Sequence, residues 1–117
     1  MSSKPRKWKF RLRHVLEAID RIERYIAGRT LEQLATDRQC LDAVVWNLTV
    51  IGEAVRHVPD SVFAVFPDVP WSHMRGIRNR IVHEYDRLDI EIIWNVVHNE
   101  LPPLVPILRR ILSEAVE

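Results

Sequence analysis

The sequence predicts an all-α protein, an up-and-down bundle of four main helices joined by short helical turns. Apolar residues recur at steps of three and four along most of the 117-residue chain, which is the period of an amphipathic helix. No segment shows the sustained alternation of a half-buried strand. Only three glycines are present, few for the turns of a sheet. Together these observations favour a single helical domain.

The first predicted helix carries its apolar residues on one stripe and ends near Gly28, a residue that favours helix termination. The stripe consists of Leu12, Val15, Leu16, Ile19, Ile22 and Ile26. Ahead of it, six of the first thirteen residues are Lys or Arg and none is acidic. We interpret residues 1–11 as a flexible basic leader and residues 12–117 as the domain. The alternative is an arm in which Trp8 and Phe10 stack on unpaired bases.

The second predicted helix is long, with Asp37 as its N-cap and Pro59 as its end. Its apolar positions are Leu41, Val44, Val45, Leu48, Ile51, Val55 and Val58. Gly52 lies inside this helix, where glycine costs about 1 kcal/mol relative to alanine. A close approach of another helix or subunit would explain it, although simple tolerance fits equally well.

A turn at 62–66 and a proline-bounded loop precede the third helix, for which Ser72 is the expected N-cap and Arg87 the approximate end. Asp89 is expected to cap the last helix. Its stripe contains Ile90, Ile93, Trp94, Val97, Leu101, Leu104 and Leu108. Pro102 and Pro103 must kink or restart that helix, because proline removes a backbone donor and clashes with the preceding turn.

Composition excludes several classes of protein. No apolar run approaches the roughly 20 residues of a transmembrane helix, and no secretory signal opens the chain, so we expect a cytoplasmic protein without a membrane partner. The single cysteine, Cys40, rules out an internal disulfide and a cysteine-rich zinc site. The net charge is only +1 and the chain beyond residue 13 is slightly acidic, so any contact with a polyanion should be local rather than spread over a basic face.

The segment 78–85, RNRIVHEY, is the most informative part of the sequence. Arg78 offers a guanidinium that stays protonated and can hold phosphate oxygens in a forked geometry. His83 can move protons near neutral pH. Asn79 can orient the imidazole or bind a phosphate, and the phenol of Tyr85 is better suited to a phosphate or base contact than to proton transfer. This combination suits phosphodiester chemistry.

Arg78, Asn79, His83 and Tyr85 spell an Arg-Asn-x-x-x-His-x-Tyr motif, and the chain resembles the HepT-like branch of the HEPN ribonuclease toxins from about Leu12 to Leu112. The resemblance extends to the flanking segments 42–44, 51–54, 70–71, 89–94 and 101–102. It implies a homodimeric, metal-independent endoribonuclease that uses no cofactor. It also implies a minimal nucleotidyltransferase antitoxin as partner, in a type VII-like toxin-antitoxin pair. In that family the motif tyrosine accepts adenylyl groups, which here designates Tyr85.

On an ideal helix, Arg78 and His83 would be offset by about 140°. One straight helix therefore cannot aim both side chains at one phosphate. The arginine could curl round, the helix could be distorted, or a second subunit could complete the groove, since a two-fold axis presents the same patch twice. The family's homodimer, which could enter a larger toxin-antitoxin complex, is consistent with the last option.

The leading hypothesis is RNA cleavage, tRNA and mRNA being candidate substrates, with Arg78 and His83 catalytic and Asn79 and Tyr85 supporting or RNA-binding. A base that deprotonates the ribose 2′-hydroxyl would produce a 2′,3′-cyclic phosphate. The alternative is a non-catalytic helical module that binds nucleic acid or nucleotide or docks a partner. Elsewhere, Glu53 and His57 favour a helical ion pair over a metal site. Trp46, Trp71 and Trp94 favour core or dimer packing over base stacking.

Overall fold

The computed structural model describes residues 4–82 and 87–114, with side chains from residue 8 onward. Helix is the dominant structure of this part of the chain, which confirms the predicted all-α class. In chain order the elements are α1 (Lys4–Ile26), α2 (Leu31–Thr36), α3 (Arg38–Arg56), α4 (Asp60–Val65), α5 (Trp71–Arg75), α6 (Ile77–Ile81), α7 (Ile90–Asn95), a π-helical turn (Val96–Glu100) and α8 (Leu104–Glu114). None of the described helices is long and apolar enough to cross a membrane.

The core lies between α1 and α3, the two longest helices, and α8 also packs against α1. The Sγ of Cys40 contacts the carbonyl oxygen of Tyr25, and Arg21 Nε donates to Asn47 Oδ1 at 2.8 Å, so the pair runs antiparallel. Both predicted stripes face this interface. Its fully buried side chains include Leu12, Val15, Ile19 and Ile22 from α1 and Val44, Leu48, Ile51 and Val55 from α3.

Local capping explains where several helices begin. Thr30 and Gln33 form a capping box that starts α2. Asp37 accepts a hydrogen bond from the Cys40 N–H at 3.1 Å, and Asp89 accepts one from the Ile92 N–H at 3.0 Å. The predicted N-caps of α3 and α7 are thus confirmed.

The first helix begins at Lys4, about two turns before the predicted start near Leu12. Trp8 is only 8 % exposed and its ring lies 6.4 Å from that of Phe66. This contact crosses 58 positions of sequence, so local periodicity could not predict it. The burial of Trp8 also removes it as a base-stacking candidate, whereas Phe10 is exposed.

The predicted third helix from Ser72 to about Arg87 is wrong in its bounds and its continuity. Helix α5 starts at Trp71 behind Pro70, Gly76 separates α5 from α6, and α6 ends at Ile81. Val82 is extended and pairs with Leu88 in an isolated antiparallel bridge. The Arg-Asn-x-x-x-His-x-Tyr motif therefore begins on α6 and extends past the last residue of that helix.

The last predicted helix is likewise divided, at the place where its prolines require it. The Leu101 N–H donates to the Val96 carbonyl at 2.9 Å. Donor and acceptor are five residues apart in sequence, as in a π-helical turn, rather than four. Pro102 and Pro103 follow, and the chain restarts as α8 at Leu104. The expectation that these prolines kink or restart the helix is confirmed.

Candidate active site

A cleft of about 410 Å³ lies between α3 and the α5–α6 segment, and it contains the described part of the motif. We call it the arginine cleft. Its lining residues are Thr49, Gly52, Glu53 and Arg56 from α3, with Ser72, Arg75, Gly76, Arg78 and Asn79 from the opposite wall. The four α3 residues fall at helical spacing and so share one face of that helix.

Gly52 lies where the two walls of the cleft approach each other. A Cβ atom built at this position would lie 3.4 Å from each of the carbonyl oxygens of Met74 and Arg75, and 3.5 Å from Ile77 Cγ2. Larger side chains at position 52 would push α5 and α6 away. Helices α5 and α6 do approach Gly52, at distances that are ordinary van der Waals contact for a Cβ atom, so alanine would also fit and both explanations offered by the sequence stand.

Arg78 and Asn79 both lie on α6 with exposed side chains, and both line the cleft. Arg78 also lines an adjoining groove with Trp46, Thr49 and Val82. Within residues 8–82 and 87–114, no hydrogen bond or ion pair engages the guanidinium of Arg78. A cation with unused donors in an open cleft is suited to bind an anion.

His83 and Tyr85 lie outside the described residues, so the structure places neither side chain. It does overturn the basis for the ideal-helix estimate of their positions. Because α6 ends at Ile81 and Val82 has φ −110° and ψ 122°, the angular offset of about 140° between Arg78 and His83 no longer applies. The Asp89 N–H bonds to the Ile81 carbonyl at 2.9 Å, which holds the two ends of the intervening segment together.

Among the lining residues that the structure describes, positive charge is in excess. Three of them carry guanidinium groups, Arg56, Arg75 and Arg78, and one carries a carboxylate, Glu53. The Glu53 carboxylate lies 3.3 Å from His57 Nε2, the helical pairing that the sequence favoured. Neither Arg56 nor Arg75 was selected from the sequence. The helical spacing of Gly52, Glu53 and Arg56 indicates only that these three residues share one face of α3.

Arg80, also on α6, has a structural role. Its Nη1 and Nη2 each donate to one Glu100 oxygen at 2.8 Å, a bidentate pair that ties α6 to the π-helical turn. Asn95 Nδ2 adds a bond to the same carboxylate at 3.1 Å. The bonds from Arg80, more than any other influence, lower the pKa of Glu100 below its ordinary value, although partial burial opposes them.

The three tryptophans occupy different environments. Trp71 is buried and its Nε1 donates to the Phe66 carbonyl at 2.9 Å, while Trp94 is half-buried and packs on His98. Trp46 is 66 % exposed, so core packing is wrong for this residue. Its ring lies between the groove that contains Arg78 and a second groove lined by Arg11, His14 and Val50.

Potential metal ligands do not converge in the described part of the chain. Among those residues, no group of three His, Cys, Asp or Glu side chains could hold a metal ion. The described side chains that line the cleft carry guanidinium, carboxylate, amide and hydroxyl groups.

A family model described as "Ribonuclease HepT-like" matches residues 15–111, most of the chain and the whole of the cleft. The chain belongs to the HepT-like ribonuclease family. This result confirms the predicted family and the predicted enzyme class.

Relatives of similar length support the membership. A protein of Methanocaldococcus jannaschii, provisionally named as an RNase, is 31 % identical over 86 % of this chain and 83 % of its own. The "Probable ribonuclease HepT" of Thermococcus cleftensis is 30 % identical over 80 % of this chain and 84 % of its own. A provisionally named RNase of Caldanaerobacter subterraneus is 30 % identical over 88 % of this chain and 92 % of its own. No solved structure matches the chain.

The Arg80–Glu100 pair generates a prediction about stability. Because the folded-state pKa of Glu100 is lowered, its contribution is present above the ordinary pKa of glutamate, about 4.3, and is lost as pH falls through the folded value. Replacing Glu100 by Gln should lower the free energy of unfolding by about 1 kcal/mol at pH 7. The difference from the unmodified protein should shrink below pH about 4.

Urea denaturation at pH 7 and at pH 3 checks this expectation. Glu114→Gln is the matched control, since Glu114 contacts Arg110 at 3.9 Å with both side chains more than half exposed. The control should change stability less at pH 7. A Glu100→Gln difference that stays constant or grows in acid would contradict the assigned role of the pair.

Proposed function

We propose that this protein is a metal-independent endoribonuclease that cleaves RNA by attack of the ribose 2′-hydroxyl on the neighbouring phosphate. One observation carries the proposal: Arg78 and Asn79 stand in an arginine-lined cleft, with the Arg78 guanidinium unpaired among the described residues. The motif histidine follows only two residues after α6 ends. Membership in a ribonuclease family makes RNA the natural polyanion for such a cleft.

The proposed reaction needs a base, a stabiliser of negative charge and a substrate that supplies its own nucleophile. His83 takes the proton of the 2′-hydroxyl, and the oxygen attacks phosphorus. The bond from phosphorus to the 5′-oxygen breaks, and that oxygen takes up a proton. The products are a 2′,3′-cyclic phosphate and a 5′-hydroxyl. Arg78 stabilises the charge that grows on the phosphoryl oxygens, and Asn79 orients the imidazole or the phosphate.

We further propose that the active form is a homodimer joined through the exposed face around Trp46. Large exposed aromatic residues are frequent energetic centres of interfaces. Trp46 and Arg78 line the same groove, so a second copy seated on Trp46 would stand beside the motif. A two-fold axis there would bring two motifs to one composite cleft.

The toxin role and its regulation form the last part of the proposal. The protein would slow growth by cutting cellular RNA until a minimal nucleotidyltransferase neutralises it. Adenylyl groups on Tyr85 would add bulk and negative charge where RNA phosphates must bind. Mass spectrometry of the co-expressed pair should find adenylate on the Tyr85 peptide. An inhibited complex with an unmodified peptide would instead indicate neutralisation by complex formation.

Substitution of the motif separates catalysis from binding. His83→Ala should reduce cleavage of a structured RNA or a tRNA pool by about 10² to 10⁴-fold, because a proton carrier is lost. Arg78→Ala should cost about 10²-fold or more, through the lost stabilisation of phosphoryl charge. Single-turnover rates with purified, unmodified protein measure both effects.

Exposed residues of the same type on other elements provide the controls. Arg109→Ala on α8 and His98→Ala on the π-helical turn should cleave at the unmodified rate. If His83→Ala retained full activity, His83 would not be the base. If no protein cleaved any RNA while RNA binding persisted, the protein would be a binding module rather than a nuclease.

The dimer proposal predicts that Trp46→Ala shifts the protein to monomer and lowers cleavage with it. Removing a central tryptophan commonly costs 2 kcal/mol or more of association energy. Light scattering across a concentration series, beside the cleavage rate, measures both effects. Val65→Ala, which removes another exposed apolar side chain on α4, should leave the assembly intact. A Trp46→Ala variant that stays dimeric but loses activity would instead place this ring against RNA.

A further inference from the structure

Arg75, the last residue of α5, is held in the arginine cleft by an aromatic support. Its Cζ lies 5.6 Å from the centroid of the Phe63 ring, within the range of a cation–π contact. Phe63 in turn stacks on Trp71, with ring centroids 4.8 Å apart and an interplanar angle of 21°. Trp71 is buried and anchored by its bond to the Phe66 carbonyl. The support is therefore part of the folded core.

This arrangement restrains the Arg75 guanidinium without using its hydrogen-bond donors. A cation–π contact engages the face of the group, whereas all five N–H donors lie in its plane. No hydrogen bond or ion pair from the Arg75 side chain occurs in the part of the chain that the structure describes. An arginine whose side chain is already restrained loses less conformational freedom when it binds a phosphate.

The position of Arg75 relates it to the motif. Arg75 and Arg78 line the same wall of the cleft, three residues apart on either side of Gly76, and Arg56 lines the opposite wall. The cleft volume, about 410 Å³, falls in the range of sites that hold a whole small ligand. Glu53, the one carboxylate among the described lining residues, lies on the α3 wall and is paired with His57, whose Nε2 is 3.3 Å away.

We propose that Arg75 binds an RNA phosphate adjacent to the one that is cleaved, with Arg56 assisting from the α3 wall. The inference rests on the proposed function for the identity of the nucleic acid. Arg75 is in this account a substrate-binding residue, whose contact is the same in the ground state and in the transition state. Its loss should raise KM and leave kcat close to that of the unmodified protein.

Salt dependence of binding tests the contact independently of cleavage. The probe is a mixed-sequence, 2′-O-methylated single-stranded RNA, which lacks the attacking hydroxyl, and its affinity is measured by fluorescence anisotropy over a series of KCl concentrations. Each phosphate contact contributes about 0.7 to the slope of log K against log salt for single strands. Arg75→Ala should reduce the magnitude of that slope by about 0.7.

Two further variants distinguish the charge of Arg75 from the aromatic contact with Phe63 that supports it. Arg75→Lys should keep the slope while weakening binding, because lysine keeps the charge but not the planar fork. Phe63→Leu leaves Arg75 in place and should likewise weaken binding at an unchanged slope. Arg109→Ala should bind as the unmodified protein does.

The outcomes separate this inference from the proposed function. An unchanged slope in Arg75→Ala, in a protein that cleaves RNA, would overturn the phosphate contact alone. A fall in kcat equal to that of Arg78→Ala would also overturn it, because Arg75 would then act on the reacting phosphate. If the unmodified protein cleaved no RNA, the nuclease assignment would fail, yet the slope would still decide whether Arg75 holds a phosphate.

Discussion

The absence of a side chain at Gly52 allows α3 to approach the backbone of α5 and α6 closely. With carbonyl oxygens of Met74 and Arg75 3.4 Å from where a Cβ would stand, the helices meet backbone to backbone. The neighbouring positions on the same face of α3, Glu53 and Arg56, then line the edge of that contact. This approach of α3 to α5 and α6 therefore places Glu53 and Arg56 opposite Arg75 and Arg78 across the cleft.

The opposite wall is short and interrupted, and separate contacts hold it in place. Trp71 anchors the start of α5, while the bidentate pair of Arg80 and Glu100 fixes α6 to the π-helical turn. The bridge between Val82 and Leu88 holds together the two ends of the segment that carries the rest of the motif. With α6 fastened through Arg80, the neighbouring Arg78 remains exposed and lines the cleft, as the proposed contact with RNA requires.

Local sequence signals predicted the all-α class, the apolar stripes of α1 and α3, and the N-caps Asp37 and Asp89. They also predicted that the last helix restarts after Pro102 and Pro103. Each of these depends on residues within a few positions of one another. The early start of α1 is accompanied by the distant contact of Trp8 with Phe66, and the helices on both sides of the break at Gly76 pack against α3. Arg78 and Asn79 were located by motif alone, whereas the cleft partners Arg56 and Arg75 become evident only when two helices are brought together.

We propose that RNA is cut in this cleft by 2′-hydroxyl attack without a metal ion. End-group analysis of RNA fragments produced in EDTA by purified, unmodified protein distinguishes this reaction from metal-dependent hydrolysis. We expect undiminished cleavage, with 2′,3′-cyclic phosphates and 5′-hydroxyls at the new ends. A requirement for magnesium, or 5′-phosphates on the fragments, would contradict it.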